Sequence, residues 1–361
     1  MYLHERKQWT NFIWDDCVVS PLVGDARFAQ GKLLGRLENV GFALSSELEV
    51  NSLSAEVVAS SRIEGVQLDL EKVRSSVARR LGVDQLADEP DTRNVDGAVE
   101  VVLDAVSMRN EPLTEDRLFG WHAALFPTGY SDLRKIEVAS YRTTPMEVVS
   151  GPIGHEKVHF KAPSSQDVPT LMADFLTWFN AESHYDVLVK AGLAHLYFLT
   201  IHPFEDGNGR IARALTETLL ARSDGSPRRF YSMAKYIAAN RKEYYSAIET
   251  AQMGTSEVTQ WLSWFLLSYT AAIKASSKEV DSVLDRSAFW VSLDSVPLNE
   301  RQRKILSLLA GDFEGKLTAQ KWAKLCRVSP DTALRDINDL IAKEVLKRNA
   351  AAGRSTSYSL R

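Results

Sequence analysis

The sequence has few cysteines and no long apolar run. Its 361 residues include only Cys17 and Cys326, which lie far apart in the chain, so a disulfide framework is not expected and a reducing compartment fits better. No stretch approaches the roughly 18 uncharged apolar residues of a membrane span. The N-terminus MYLHERKQW lacks the apolar segment of a signal peptide. We therefore expect a soluble, cytoplasmic protein without a membrane partner.

The sequence also lacks internal repeats, low-complexity tracts and any G-x-x-x-x-G-K-[ST] segment. The last absence excludes a P-loop as the source of nucleotide binding. A formal net charge of -4 gives no global sign of a nucleic-acid partner. What is present is ordinary globular composition, 45% hydrophobic and 25% charged, in a chain long enough for two or three domains.

Helical periodicity dominates the pattern of apolar residues. One segment differs: residues 141–163 place Val148, Val149, Val158 and Phe160 around Gly-Pro and Gly-His turns, which predicts a β-hairpin at 148–161. Helices are predicted at 51–63, 96–109, 114–124, 167–181, 187–201, 211–222, 240–252 and 257–274. The fold class is therefore mainly α, with one hairpin.

The C-terminal stretch 298–361 is basic, with 13 Lys and Arg against 7 Asp and Glu. Its pattern predicts three helices, the third starting at Ser329-Pro330, and then two strands, which is the order of a winged helix-turn-helix. Arg335 would lie on the recognition helix, and Arg348 and Arg354 on the wing. Such modules bind DNA or other proteins, and both partners stay open here.

The segment IHPFEDGNGRIAR, residues 201–213, concentrates polar groups directly after an apolar helix. Residues 187–201 are apolar on nearly all sides, which is typical of a buried helix, and Pro203 should end it. A further helix is expected from about Ile211. Residues 207–209, Gly-Asn-Gly, would then form a loop at a helix N-terminus, where free N–H groups and the helix dipole favour an anion.

The charged residues around this loop suit phosphate chemistry. Arg210 adds a charged fork beside the glycines, and Arg213 follows one turn later on the same face. Asp206 is a hard oxygen ligand of the kind that Mg²⁺ shares with phosphate oxygens and water. His202, with a near-neutral ordinary pKa, could take a proton from an incoming hydroxyl. Each residue alone is more often structural; their conjunction predicts a polyphosphate site.

The nine residues HPFEDGNGR match the Fic-domain signature HPFx(D/E)GNGR at every fixed position, and the IAR that follows supplies the second arginine usual in that family. The chain thus resembles Fic proteins over a core at 95–275. The resemblance implies a Fic helical bundle with a β-hairpin flap that docks the target. It further implies an N-terminal helical region at 1–94 and a winged helix-turn-helix at 295–361.

Fic enzymes with this motif transfer AMP from ATP to a Ser, Thr or Tyr hydroxyl of a target protein. The resemblance therefore implies ATP as substrate, Mg²⁺ as cofactor and a hydroxyl-bearing protein, this chain itself included, as partner. His202 would activate the hydroxyl and Asp206 would hold Mg²⁺. The residues assigned to the nucleotide are Gly207, Asn208, Gly209 and Arg210 at the phosphates, Arg213 at the γ-phosphate, and Asn240 and Tyr244 towards the adenine.

The segment SSRIEG, residues 60–65, fits the inhibitory pattern [ST]-x-x-x-E-[GN] of that family through Ser60, Glu64 and Gly65. Independently, Glu64 falls at the C-terminal end of its predicted helix, where the helix dipole disfavours a negative charge and invites a cationic partner. The resemblance nominates Arg213 as that partner. The expected function is an autoinhibited protein adenylyltransferase.

Three alternatives stay open. A Fic enzyme of this kind can mainly remove AMP from a modified protein, with Glu64 orienting a water molecule. The motif also does not discriminate AMP transfer from transfer of phosphate, UMP or phosphocholine. A rival from another class is a DNA-binding transcriptional regulator with a Fic sensor core. A homodimer is expected from the resemblance alone.

Overall fold

A computed structural model describes residues 1–38, 40–83, 86, 93–131, 133–150, 157–311, 313–349 and 356–361. Over these ranges the chain is mainly helical, with three two-stranded antiparallel hairpins. The helices are α1 Asp16–Leu37, α2 Phe42–Ile63, α3 Leu70–Arg80, α4 Arg93–Ser107, α5 Glu115–Leu125, α6 Val168–Asn180, α7 Val187–Ile201, α8 Asn208–Asp224, α9 Met233–Ala239, α10 Arg241–Met253, α11 Thr259–Ser292, α12 Glu300–Ala310, α13 Ala319–Cys326 and α14 Pro330–Ala342. The strands are β1 Tyr130–Ser131, β2 Arg134–Lys135, β3 Glu147–Ser150, β4 Lys157–Lys161, β5 Leu346–Arg348 and β6 Tyr358–Leu360.

The chain divides into two compact units, Met1–Ser277 and Lys278–Arg361. None of the helices in the described ranges has the length and apolar character that a bilayer span requires. Cys17 and Cys326 are free thiols. The division of the first unit into a region 1–94 and a core 95–275 stays a prediction.

Helix α7 forms the centre of the first unit. Every residue from Leu188 to Ile201 is buried, as its nearly continuous apolar sequence predicts. Gly192 allows α11 to pack closely, because a Cβ atom there would lie only 3.1 Å from the side chains of Leu262 and Phe265. This rigid core fixes the point at which α7 ends and the polar segment begins.

Helix α2 begins at Phe42, nine residues before the predicted start at 51. Its N-terminal half mixes apolar residues with serine and glutamate, and Ser45, Ser46 and Glu49 are buried in it, so apolar periodicity alone does not mark it. The helix ends in a Schellman motif: Val66 N–H donates to Ser61 O (3.1 Å) and Gly65 N–H to Arg62 O (3.1 Å). Gly65 has φ +85, which glycine adopts at little cost.

Three helices were not predicted, namely α1, α3 and α9. Helix α1 contains Pro21 and three glycines, residues that disfavour helices in isolation, and tertiary packing of Leu33 and Leu37 overrides that preference. The predicted linker 84–94 lies mostly outside the described residues, although α4 already begins at 93.

The predicted flap is a hairpin in which β3 pairs antiparallel with β4. Val148 faces Phe160, and the register shifts between Val148 and Val149, which marks a bulge. Phe160 is buried and anchors the hairpin to the body of the unit. The tip, residues 151–156, lies outside the described ranges.

The second unit contains α12, α13 and α14 followed by the β5–β6 hairpin. Leu317 pairs with Tyr358 through one further antiparallel bridge. Trp322, Ile337 and Leu340 are fully buried in its core. This is the predicted order of helices and strands, and the winged-helix assignment itself stays a prediction.

Candidate active site

His202 lies at a sharp corner directly after α7. Its backbone is left-handed, with φ 53 and ψ 59, and its N–H donates to Phe198 O at 2.9 Å. A non-glycine residue in this region is strained and persists only where its surroundings hold it. This corner separates the buried helix α7 from the polar loop that follows.

The ring of His202 is held in one tautomer. Nδ1 lies 3.2 Å from Leu199 O, and only a protonated nitrogen can donate to a carbonyl, so the neutral ring carries its free lone pair on Nε2. Burial lowers the pKa of His202 to about 4, and the Arg142 guanidinium adds to that effect. The ring is therefore a neutral proton acceptor at pH 7.

Asp206 is fixed by two hydrogen bonds. Its Oδ1 accepts the N–H of Gly207 at 2.5 Å, and its Oδ2 accepts the hydroxyl of Ser131 from β1. Both carboxylate oxygens keep further lone pairs. Within the described part of the chain, no group of three or more His, Cys, Asp or Glu side chains could hold a metal. A metal here would thus take at most two such side chains from the described residues.

The buried side chain of Asn208 stabilises the loop through two hydrogen bonds. Its buried amide accepts the N–H of Phe204 (3.0 Å) and donates to the carbonyl of the same residue (2.8 Å). The structure here corrects the predicted start of α8 at about Ile211, because the helix begins at Asn208. The Asn208 side chain stabilises the turn, so only its backbone amide is available to an anion.

The N-terminus of α8 presents main-chain N–H donors. Gly207 is the N-cap with φ +82, and the first helical bond runs from Ile211 N–H to Gly207 O at 3.0 Å. The amides of residues 208–210 precede this bond, at the positive end of the helix dipole. Arg210 adds charge beside them and lies over the ring of Phe126, 4.7 Å from its centroid. This end of α8 is built to attract an anion.

Arg213 is nearly fully buried, at 3% exposure, and is held by α2. Its Nε donates to Ser60 Oγ (2.8 Å), and its Nη2 donates to Ser60 O (2.9 Å) and to Glu64 Oε1 (2.8 Å). Its Nη1 is buried without a hydrogen-bond partner among the described residues. The structure thus brings Ser60 and Glu64 onto Arg213, and it leaves one charged donor unsatisfied.

Gly209 makes room for Glu64. A Cβ atom at position 209 would lie 2.1 Å from Glu64 Oε1 and 3.3 Å from Arg213 Nη1. The Glu64 carboxylate therefore rests directly on the first turn of α8. It lies beside the backbone of Gly209 and is bonded to Arg213.

Tyr244, which was predicted to lie towards the adenine, is a buried residue of α10. Its side chain is 2% exposed, and its hydroxyl lies 2.8 Å from Nε2 of the buried His195. Burial raises its pKa well above the ordinary value. A nucleotide role for Tyr244 stays a prediction. Its neighbour Tyr245 is 39% exposed, and its hydroxyl donates to Ile63 O at 3.2 Å, next to Glu64.

Asn240 lies between α9 and α10 and is partly exposed. Its Nδ2 donates to Tyr236 O at 2.9 Å, so the amide helps to end α9. A nucleotide role for Asn240 stays a prediction.

His122 supports the loop and was not predicted. Its ring is fully buried and stacks on Phe204 with centroids 4.3 Å apart. Nδ1 accepts the N–H of Ala139 (3.1 Å), which leaves Nε2 protonated to donate to Asp206 O (3.2 Å). Burial lowers the pKa of His122 to about 4. Nothing in the sequence around position 122 distinguishes it from any other histidine on a helix.

Two of the three residues predicted for a DNA contact, Arg335 and Arg348, lie in the described part of the second unit. Arg335 is exposed on α14, with Asp331 and Asp339 one turn away on either side, so this helix face carries no positive excess. Arg348 on β5 donates to the hydroxyl of Thr356 at 3.1 Å. Arg354 lies outside the described residues. A DNA contact stays a prediction.

Residues 112–220 match the Fic/DOC family, and residues 2–83 match a domain of unknown function, DUF4172. A protein from Aquifex aeolicus named probable protein adenylyltransferase is 33% identical over 104 residues, which are 29% of this chain and 30% of that protein. The protein adenylyltransferase Fic of Aedes aegypti is 26% identical over 236 residues, 62% of this chain and 44% of that one. The chain spans less than half the length of these relatives.

The fold also resembles that of a solved structure. A Fic family protein from Desulfovibrio desulfuricans aligns with a TM-score of 0.51 at 20% identity, covering 94% of this chain and 96% of that one. The likeness supports the predicted fold class, a mainly helical bundle of the Fic type with few small strands.

Proposed function

The chain carries a Fic/DOC domain at residues 112–220, and we propose that it is a protein adenylyltransferase. We also propose that its own residue Glu64 keeps it inactive. Relatives with that domain are named protein adenylyltransferases. The observation that carries the proposal is the Glu64 carboxylate, bonded to Arg213 at 2.8 Å over the first turn of α8.

In the proposed reaction, Nε2 of His202 takes the proton of a Ser, Thr or Tyr hydroxyl on a target protein. The hydroxyl oxygen then forms a bond to the α-phosphorus of ATP, and the bond from that phosphorus to the bridging oxygen breaks. Pyrophosphate leaves, and AMP stays on the target as a phosphodiester. Because His202 is neutral with its lone pair on Nε2, it can accept this proton at pH 7.

The phosphates of ATP have matching donors. The N–H groups of residues 208–210 precede the first hydrogen bond of α8 and can donate to the phosphate oxygens on which charge develops during transfer. Arg210 adds charge at the same end. The unpartnered Nη1 of Arg213 would find its acceptor in the terminal phosphate. Catalysis of this kind rests mainly on positioning and charge neutralisation.

The site suits Mg²⁺, with Asp206 as its ligand. One carboxylate whose oxygens keep free lone pairs is the donor set with which Mg²⁺ binds nucleotides, since waters and phosphate oxygens complete its shell. When bound, the ion would neutralise charge on the phosphates. Ser131 and the Gly207 amide hold the carboxylate in place for it.

Glu64 would inhibit transfer by occupying the position of a phosphate. Glu64 Oε1 takes a hydrogen bond from Arg213 and lies where a phosphate would meet the first turn of α8. An anion cannot use this part of the site while a carboxylate is there, because the two negative charges would share one set of donors. The test is transfer of labelled AMP from ATP to protein, measured with and without Glu64.

The hairpin β3–β4 is proposed to dock the target through main-chain pairing, as an exposed strand edge does in other peptide complexes. Such pairing reads little side-chain information, so the target is proposed only as a protein with an accessible hydroxyl side chain. The homodimer and the cytoplasmic location stay predictions.

A further inference from the structure

Arg142 is a buried cation that neither the motif nor the proposed chemistry uses. It is 1% exposed. In the described part of the chain, every hydrogen bond of its guanidinium goes to a main-chain carbonyl. Burial lowers its pKa. A buried charge is costly unless its geometry is well satisfied, so the position of these carbonyls calls for an explanation.

Two of the carbonyls belong to the corner that carries His202. Arg142 Nε donates to His202 O at 2.8 Å, and Nη2 reaches Ile201 O at 3.5 Å. The backbone N–H of Arg142 also donates to Pro203 O at 2.9 Å. These are the carbonyls at the end of α7, where the helix dipole favours a cation. Arg142 therefore hydrogen-bonds the carbonyl of the strained, left-handed His202 and the carbonyls of the residues before and after it.

The other two carbonyls belong to the base of the flap. Nη1 donates to Thr144 O at 3.0 Å, and Nη2 donates to Pro163 O at 2.6 Å. Thr144 precedes β3 and Pro163 follows β4, and between them Ala162 N–H donates to Met146 O at 3.0 Å. One guanidinium thus joins both ends of the hairpin to the corner of His202.

We propose that Arg142 is a positioning residue that locks His202 in its left-handed conformation and couples it to the base of the flap. It acts through the main chain and does not touch the substrate. Only the planar fork of arginine reaches four carbonyls at once, which lysine cannot do. The kinetic part of this inference rests on the proposed function; the structural part does not.

The test compares Arg142→Met and Arg142→Lys in the full chain. Arg222→Met and Arg222→Lys are controls, because Arg222 is partly buried and also donates to main-chain carbonyls, those of Arg109 and Glu111. Circular dichroism and thermal melting of all four variants report folding and stability.

The first readout is the titration of His202 by NMR of histidine labelled with ¹³C at Cε1, with the resonance assigned by its loss in His202→Asn. Glu64 and Asp206 raise the pKa of His202 and are unchanged in these variants, whereas Arg142 lowers it. We therefore expect the His202 pKa to rise in Arg142→Met, to rise less in Arg142→Lys, and to keep its wild-type value in both Arg222 variants. This readout needs no enzyme activity.

The second readout is AMP transfer in the Glu64→Gly background. Misplacement of His202 should lower kcat by roughly 100-fold in Arg142→Met, with the KM for ATP unchanged, and added guanidinium ion should restore part of the rate. A His202 resonance and pKa in Arg142→Met equal to those in Arg222→Met would overturn the proposal. If Arg142→Met fails to fold, the same comparison between the two lysine variants decides. If no variant transfers AMP, the proposed function fails and the NMR result still decides the role of Arg142.

Discussion

A Cβ atom on Gly209 would lie 2.1 Å from Oε1 of Glu64. The first turn of α8 and the end of α2 therefore meet at a point where only a residue without a side chain leaves space for the carboxylate. The same carboxylate bonds to Arg213 at 2.8 Å. The absence of a side chain at Gly209 thus leaves room for an anion at the amides of α8, and it leaves the same room for Glu64.

Gly209→Ala should have opposite effects on stability with and without Glu64. In the wild-type chain the new methyl group displaces the carboxylate from Arg213, and we expect a lower free energy of unfolding. In Glu64→Gly that clash is gone, and alanine in a helix should stabilise by up to about 1 kcal/mol. Urea unfolding of the four proteins gives the coupling energy, expected at about 0.5–3 kcal/mol. Equal effects of Gly209→Ala in both backgrounds would contradict this contact.

The rate of AMP transfer should not show the usual histidine inflection. Burial lowers the pKa of His202 to about 4, and a general base works only when it is unprotonated. The rate should therefore stay level as the pH falls through the ordinary value of about 6.5, and it should decline only as the pH approaches 4. Initial rates of Glu64→Gly at ATP concentrations below KM, which report the free enzyme, check this profile. An inflection at the ordinary histidine pKa would show that the ring is not held as described.

The sequence predicted the site where its parts are contiguous. Residues 187–213 contain the buried helix, the residue that ends it and the glycines that start the next one, so local rules suffice for α7 and nearly so for α8. The start of α8 was placed late, because the Asn208 side chain bonds the Phe204 main chain and closes the turn early. Such a side-chain bond leaves no periodic signal.

Contacts between distant segments could not be predicted from local rules. Arg142 contacts His202 across 60 residues, and His122 contacts Asp206 across 84; neither has a sequence pattern of its own. Glu64 and Arg213, 149 residues apart, were paired only through the resemblance to Fic proteins. The burial of Tyr244 against His195 is likewise a property of the packing that local rules do not reveal.

Asn208→Ala should lower both stability and transfer. The change leaves the buried N–H and C=O of Phe204 without partners, at a cost of about 1–3 kcal/mol for each group. Asn180→Ala is a matched control, because the Asn180 amide bonds both the N–H and the C=O of Leu113 at 2.8 Å. Thermal melting should show similar losses for the two variants. Only Asn208→Ala should also lower the rate of AMP transfer at a temperature where both are folded; equal rates would contradict the role of Asn208 in the site.

Asp206→Asn should abolish the activation of AMP transfer by Mg²⁺, while the loop stays folded. The asparagine oxygen can still accept the Gly207 N–H, but it lacks the charge that a hard cation prefers. Glu205→Gln is the control. The neighbouring Glu205 accepts the N–H of Glu137 at 3.2 Å and is not a proposed ligand of Mg²⁺. A Mg²⁺ titration of the initial rate in the Glu64→Gly background should show loss of rate for Asp206→Asn and little change for Glu205→Gln. The reverse order would assign the metal to Glu205.

The most direct measurement is labelling of protein from α-³²P-ATP and Mg²⁺ by three proteins: wild type, Glu64→Gly and Glu64→Gly/His202→Ala. One hydrogen bond to a charged group contributes about 1.5–3 kcal/mol, and each 1.4 kcal/mol is a factor of ten. Glu64→Gly should therefore incorporate roughly ten- to a hundredfold more label than wild type, and the double variant should incorporate none. Equal labelling by wild type and Glu64→Gly would contradict inhibition by Glu64. Absence of label from all three would contradict AMP transfer itself.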